Sequence, residues 1–183
     1  MRKVRENFDY DPDYDSGNDY LYGQPTGEQG YNPTFDDRGH PTAFSMWMPA
    51  VKAKPNGKVE FPFPGTGGYK VHLSVAFEDA DRVARKVLPI LQEMKVPHKV
   101  VRSLDRYQEM DSGEHKGKFI TIFVGPFLDS FFALLKRLEP VLEEMKAKRG
   151  AIAMVRKGGH CEAEQRARNS PLLTQVFVDD YDT

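Results

Sequence analysis

The 183-residue chain has one cysteine, Cys161, and one tryptophan, Trp47. A lone cysteine excludes an intrachain disulfide and a cysteine-based zinc cluster, and it suits a reducing compartment. No charge of one sign dominates, because 26 Lys plus Arg stand against 27 Asp plus Glu for a net charge of −1. General attraction to nucleic acid or to an anionic membrane is therefore not expected, and any anion binding must be local. No run approaches the roughly 20 apolar residues that cross a bilayer. The opening Met1-Arg2-Lys3-Val4-Arg5-Glu6 leads into Asp-rich sequence rather than an apolar signal core. A cytoplasmic protein is the first expectation, with a secreted effector as the other reading, since some secretion signals are polar.

Several chemistries also lack their signatures. His72, His98, His115 and His160 show no His-Glu-any-any-His spacing, so a metal-free site without an organic cofactor is expected. Gly65-Thr66-Gly67-Gly68 precedes a strand instead of joining a strand to a helix, which reads as a turn rather than a phosphate-binding loop. Ser74 has no nucleophile turn and Cys161 no defined histidine partner, which leaves covalent hydrolysis unsupported.

What is present is a foldable chain, 39% hydrophobic, with eight tyrosines and twelve phenylalanines. Residues 1–42 are rich in Asp, Gly, Asn and Tyr, with turn formers at Asp11-Pro12, Gly23-Gln24-Pro25 and Asn32-Pro33. They read as a polar, tyrosine-rich leader, either partly disordered or docked as irregular structure, and residues 43–183 as a single α+β domain. Ala43–Met48 is a first strand and Tyr69–Phe77 a second. A helix follows from Glu78-Asp79-Ala80-Asp81, with Val83, Val87, Leu88 and Leu91 on one side and Pro89 as an expected kink. Lys99–Arg102 and Lys118–Val124 are strands, the latter ended by Gly125-Pro126. Phe131, Leu135, Leu138, Leu142 and Met145 mark a second helix, and Ala151–Val155 and Leu172–Val178 two late strands. This order predicts a mostly antiparallel sheet with its two main helices on one face.

Tyr69-Lys70-Val71-His72-Leu73 sets a lysine and a histidine two residues apart on a strand, where both side chains point the same way. Pro97-His98-Lys99-Val100 and Gly117-Lys118-Phe119-Ile120-Thr121-Ile122-Phe123 each join a further lysine to a strand. Together they make a candidate anion site with a proton-transfer group. The plainer reading is a structural histidine and solvated lysines. If the three lysines converge, neighbouring cations can help make one a neutral base while the others hold an anion. Arg102, Arg106, Arg156 and the basic stretch through Arg168 are candidate phosphate clamps or solvent-facing charges.

As an ordered set these segments resemble the phosphothreonine lyase family, above all the lyase domain at the front of class III lanthipeptide synthetases. The resemblance spans about residues 69–160. It implies a phosphothreonine lyase-like fold and β-elimination of phosphate from phosphoserine or phosphothreonine, without metal or cofactor. Carried over, Lys99 is the base, His72 the acid and Lys70 the group that steadies carbonyl charge. Lys118, Arg102 and Arg156 would bind substrate, with Arg156 the counterpart of a late basic motif. The implied partners are a phosphorylated peptide or protein and a separate kinase or peptide-modifying enzyme, because neither a kinase nor a cyclase domain follows. A noncatalytic phosphopeptide-binding module and a structural or inhibitory interaction protein using the leader are the alternatives.

Overall fold

Strand pairing decides the architecture, with the central strand, Ile120–Gly125, buried along its whole length. A computed structural model describes residues 19–49, 60–110, 115–151, 165–166 and 169–181. In chain order the elements are β1 (Tyr31–Phe35), β2 (Pro41–Trp47), β3 (Gly68–Leu73), α1 (Phe77–Glu93), β4 (His98–Val101), α2 (Leu104–Glu109), β5 (Ile120–Gly125), α3 (Leu128–Met145), β6 (Gln165–Arg166) and β7 (Leu173–Val178). The strands form one sheet in the order β1-β2-β4-β5-β3-β7-β6, and every neighbouring pair is antiparallel. The α+β class and the mostly antiparallel sheet match the sequence reading. The chain leaves β3 through α1 and returns as β4, with β5 later filling the gap between them.

The main core lies between the sheet and the two long helices. Val71 and Leu73 of β3, Val100 of β4 and Ile120, Ile122 and Val124 of β5 meet Val83, Val87 and Leu91 of α1 and Phe131, Leu134, Leu138 and Leu142 of α3. Complete burial of Val83, Val87 and Leu91 contributes about 1.5–3 kcal/mol of transfer free energy each. Leu91→Ala, which opens a cavity at such a site, would cost about 2–5 kcal/mol. Helix α1 runs unbroken through Pro89, and α3 likewise through Pro140.

The opposite face of the sheet carries a second, smaller cluster. Phe123, Val176, Val178 and Tyr181 pack there with Met46, Phe61 and Phe63. Tyr181 closes it by donating its hydroxyl proton to Tyr69 O at 2.6 Å and accepting from Gly125 N at 3.0 Å.

The polar leader contributes to this framework. It supplies β1 and three core side chains, Tyr20, Leu21 and Tyr31. Two short elements, α2 and β6, add to the sequence reading. The strand expected at Ala151–Val155 lies, after Ala151, outside the described residues. No helix of the described residues is long and apolar enough to cross a membrane.

Candidate functional site

Strand registers assemble a polar row across the sheet. Lys99 of β4 pairs with Thr121 of β5, Thr121 pairs with His72 of β3, and His72 pairs with Thr174 of β7. Directly paired residues share a face, and Val71, Leu73, Val100, Ile120 and Ile122 occupy the helix side. The row therefore lies on the face away from the helices. Met46 of β2 extends it beyond Lys99, and Arg166 of β6 holds the register position beyond Thr174.

Lys70 joins this face two residues before His72, paired with Phe123 on one side and Val176 on the other. Its Nζ lies 5.5 Å from the centre of the Phe123 ring. Lys99 Nζ lies 4.6 Å from the Phe44 ring centre and 6.0 Å from that of Phe123. Aromatic faces attract ammonium groups, so Phe44 and Phe123 steer both lysines over the row. His115 meets the same Phe44 ring edge-on at 5.3 Å. Lys118, largely buried just ahead of β5, donates its backbone N–H to His115 O at 3.1 Å.

His72 is the electrostatic centre. Burial holds its pKa well below the ordinary histidine value, and the positive charges of Lys118, Lys70 and Lys99 lower it further. Three lysines from three segments thus act on one imidazole, which is neutral at neutral pH. Its Nδ1 lies 3.1 Å from Thr121 Oγ1. Such a site is arranged to receive an anion, whose charge would offset the lysines and let the ring take a proton.

The structure brings together Lys70, His72, Lys99 and Lys118, the four residues that carried the sequence reading. Arg102 is largely buried directly after β4, its backbone N–H donating to Ala43 O at 2.8 Å. The charges that lower the His72 pKa include those of the three lysines. Arg156 lies outside the described residues. The sequence reading missed Thr121, Thr174, Phe44 and Phe123. One signal was available for Thr121, a polar residue between Ile120 and Ile122 whose alternation sends it to the other face.

The fold is shared with known enzymes. The phosphothreonine lyase and type III effector OspF from Shigella flexneri is similar at a TM-score of 0.52 and 14% identity, over 82% of this chain and 71% of that one. The Salmonella plasmid virulence C protein, SpvC, is similar at a TM-score of 0.51 and 15% identity, over 85% and 69%. A third structure, of a phosphothreonine lyase, gives 0.52 and 16% over 84% and 67%. No curated protein matches the sequence. A family model described as RamC, N-terminal domain, matches residues 46–150, from the end of β2 to just past α3. That match spans more than half of the sequence and includes Lys70, His72, Lys99 and Lys118, and the chain belongs to this family.

Proposed function

We propose that the protein is a phosphoserine/phosphothreonine lyase, which removes phosphate from a peptide or protein by β-elimination. The observation that carries this reading is the convergence of Lys118, Lys70 and Lys99 on a buried His72 at one face of the sheet. The likeness to phosphothreonine lyases supports it at the level of fold.

β-Elimination needs charge managed at two places, the α-carbon and the leaving group. Lys99, as a neutral amine, takes the α-proton. The electron pair of that C–H bond becomes the α–β double bond, the β-carbon to oxygen bond breaks, and its pair leaves on phosphate. His72 gives its proton to the departing oxygen. Lys70 steadies negative charge developing on the substrate carbonyl, while Lys118 and Arg102 hold phosphate oxygens. Arg156 shares that task by the sequence resemblance. The products are inorganic phosphate and dehydroalanine or dehydrobutyrine.

The phosphate supplies part of its own catalysis. Bound against the lysines, its negative charge cancels much of the repulsion that keeps His72 neutral, so the acid is protonated when substrate is in place. The phosphorylated partner is either a precursor peptide of the lanthipeptide kind, modified elsewhere by a separate kinase, or a phosphorylated host protein.

The test is intact mass spectrometry of phosphoserine and phosphothreonine peptides of both kinds, incubated with the protein and without added cofactor. Elimination leaves a product one water lighter than the hydrolysed peptide. Lys99→Ala and His72→Asn, checked for folding, should each reduce that product by at least about a hundredfold. Unchanged elimination in both variants would remove these assignments, and binding without elimination by the native protein would make it a recognition module.

A further inference from the structure

We propose that Thr121 is a positioning residue that holds His72 through Nδ1 and so reserves Nε2 for the transferred proton. The inference rests on the lyase reading and adds a residue to it.

Thr121 is completely buried, on the strand between those of Lys99 and His72. It is the register partner of both residues, and its Oγ1 lies 3.1 Å from His72 Nδ1. A β-branched side chain on a strand has few rotamers, and the flanking Ile120 and Ile122 are locked into the opposite core. The hydroxyl is therefore held at a fixed point. It accepts N–H from Nδ1, which keeps its hydrogen while Nε2 gives one up. The same bond thus holds the ring before and after proton transfer and favours the neutral tautomer with its hydrogen on Nδ1. On the other side of His72 in the row, the Thr174 hydroxyl has no hydrogen-bond partner. Thr121, by contrast, is within hydrogen-bond distance of the ring.

Among the described residues, the charged groups facing His72 include Lys70 of its own strand, Lys99 of β4 and Lys118 ahead of β5. From β7 the neighbours are Thr174 and Val176, and Arg166 of β6 occupies the next register position. None of the three lysines can accept a proton from Nδ1–H while charged. Loss of the Thr121 hydroxyl therefore weakens the protonated ring.

The experiment compares Thr121→Val, which keeps the shape, with Thr121→Ser, which keeps the hydroxyl. Thr121→Val is expected to lower kcat by roughly 10- to 100-fold, the range for a hydrogen bond to a charged group, with KM within about twofold. Its activity should fall away at lower pH than in the native protein, because the ring gives up its proton sooner. Thr121→Ser should recover kcat to within a few-fold. In parallel, nitrogen NMR of the labelled His72 ring should show one neutral tautomer in the native protein and in Thr121→Ser, and a changed ratio in Thr121→Val. An unchanged ratio in Thr121→Val overturns the proposal whatever the activity. So does a changed ratio with native kcat and pH profile. If Thr121→Val does not fold, Thr121→Ala takes its place under the same criteria. A native protein that eliminates no phosphate removes the lyase reading, and the NMR comparison still decides whether Thr121 holds the ring.

Discussion

Tyr31 donates its hydroxyl proton to Nε2 of His98 at 2.9 Å, joining β1 to the strand that carries Lys99. The direction follows from the other ring nitrogen. His98 Nδ1 is 2.9 Å from Val96 O, which can only accept, so Nδ1 bears the hydrogen and Nε2 is bare. The Tyr31 oxygen in turn accepts from Gln92 Nε2 of α1 at 3.0 Å. Trp47 stacks on the imidazole, with ring centres 5.4 Å apart. Helix, edge strand and central strand are thus tied at one buried point, directly behind Lys99.

Tyr31→Phe keeps the ring and removes the link. It leaves His98 Nε2 buried without its donor and Gln92 without its acceptor, which should cost about 1–3 kcal/mol. Urea denaturation measures the loss. A change below about 0.5 kcal/mol would mean that the chain of bonds does not hold β1 to β4.

This knot also shows what the sequence could and could not disclose. Lys70 and His72 were legible as a pair because alternation along one strand is a local rule, and Lys99 and Lys118 because each begins or borders an apolar strand. Their convergence was not local. It depends on β5 inserting between β3 and β4, a sheet order that no short-range pattern encodes. Strand β1 was hidden by Pro33, which reads as a turn residue; an edge strand tolerates it, and the register shifts just after it. Helix α2 is too short for a visible period, although Ser103 caps it by accepting from Arg106 N at 3.3 Å and Asp105 lies in its first turn. Phe44 and Phe123 are buried core residues that also support the lysines, and only the registers show which face they occupy.

Stability should fall as pH drops through the histidine range. Burial pushes the His98 pKa down to about 4, partly opposed by its bond to Val96, and holds that of His72 well below 6.5. Both rings bind protons more readily in the unfolded chain. The native state therefore has its full advantage above pH 6.5 and loses it as the pH falls towards the native pKa values. For His98 alone the loss between pH 7.5 and pH 5 is about 2 kcal/mol. Urea midpoints across that interval test it, and a flat profile would show that neither ring is held neutral.

Ser45 offers a test of the opposite sign. Its side chain is completely buried on β2, paired in register with Val100 of the core, and its hydroxyl has no hydrogen-bond partner. A buried hydroxyl without a partner loses its hydration and gains nothing in return. Ser45→Ala is expected to raise stability by about 1 kcal/mol, seen as a higher urea midpoint with an unchanged slope. A fall of the same size would mean that the hydroxyl is bonded in solution.

Phe44 should matter to catalysis although it carries no polar group. Its ring lies under Lys99 Nζ and edge-on to His115, so it fixes where the ammonium rests and blocks the space beside it. Phe44→Leu keeps apolar volume and removes the ring face, a cation–π contribution of about 0.5–2 kcal/mol. On the lyase reading, the amine then samples positions away from Thr121 and His72, and reactions that depend on near-attack geometry are sensitive to shifts of about 1 Å. Elimination by Phe44→Leu should fall roughly tenfold or more in kcat, with phosphopeptide affinity changed by less than about threefold. Phe44→Tyr, which keeps a π face, should stay within a few-fold of the native rate. Equal losses in the two variants would point to packing rather than to the ring face, and a native rate in Phe44→Leu would show that Lys99 is positioned without it.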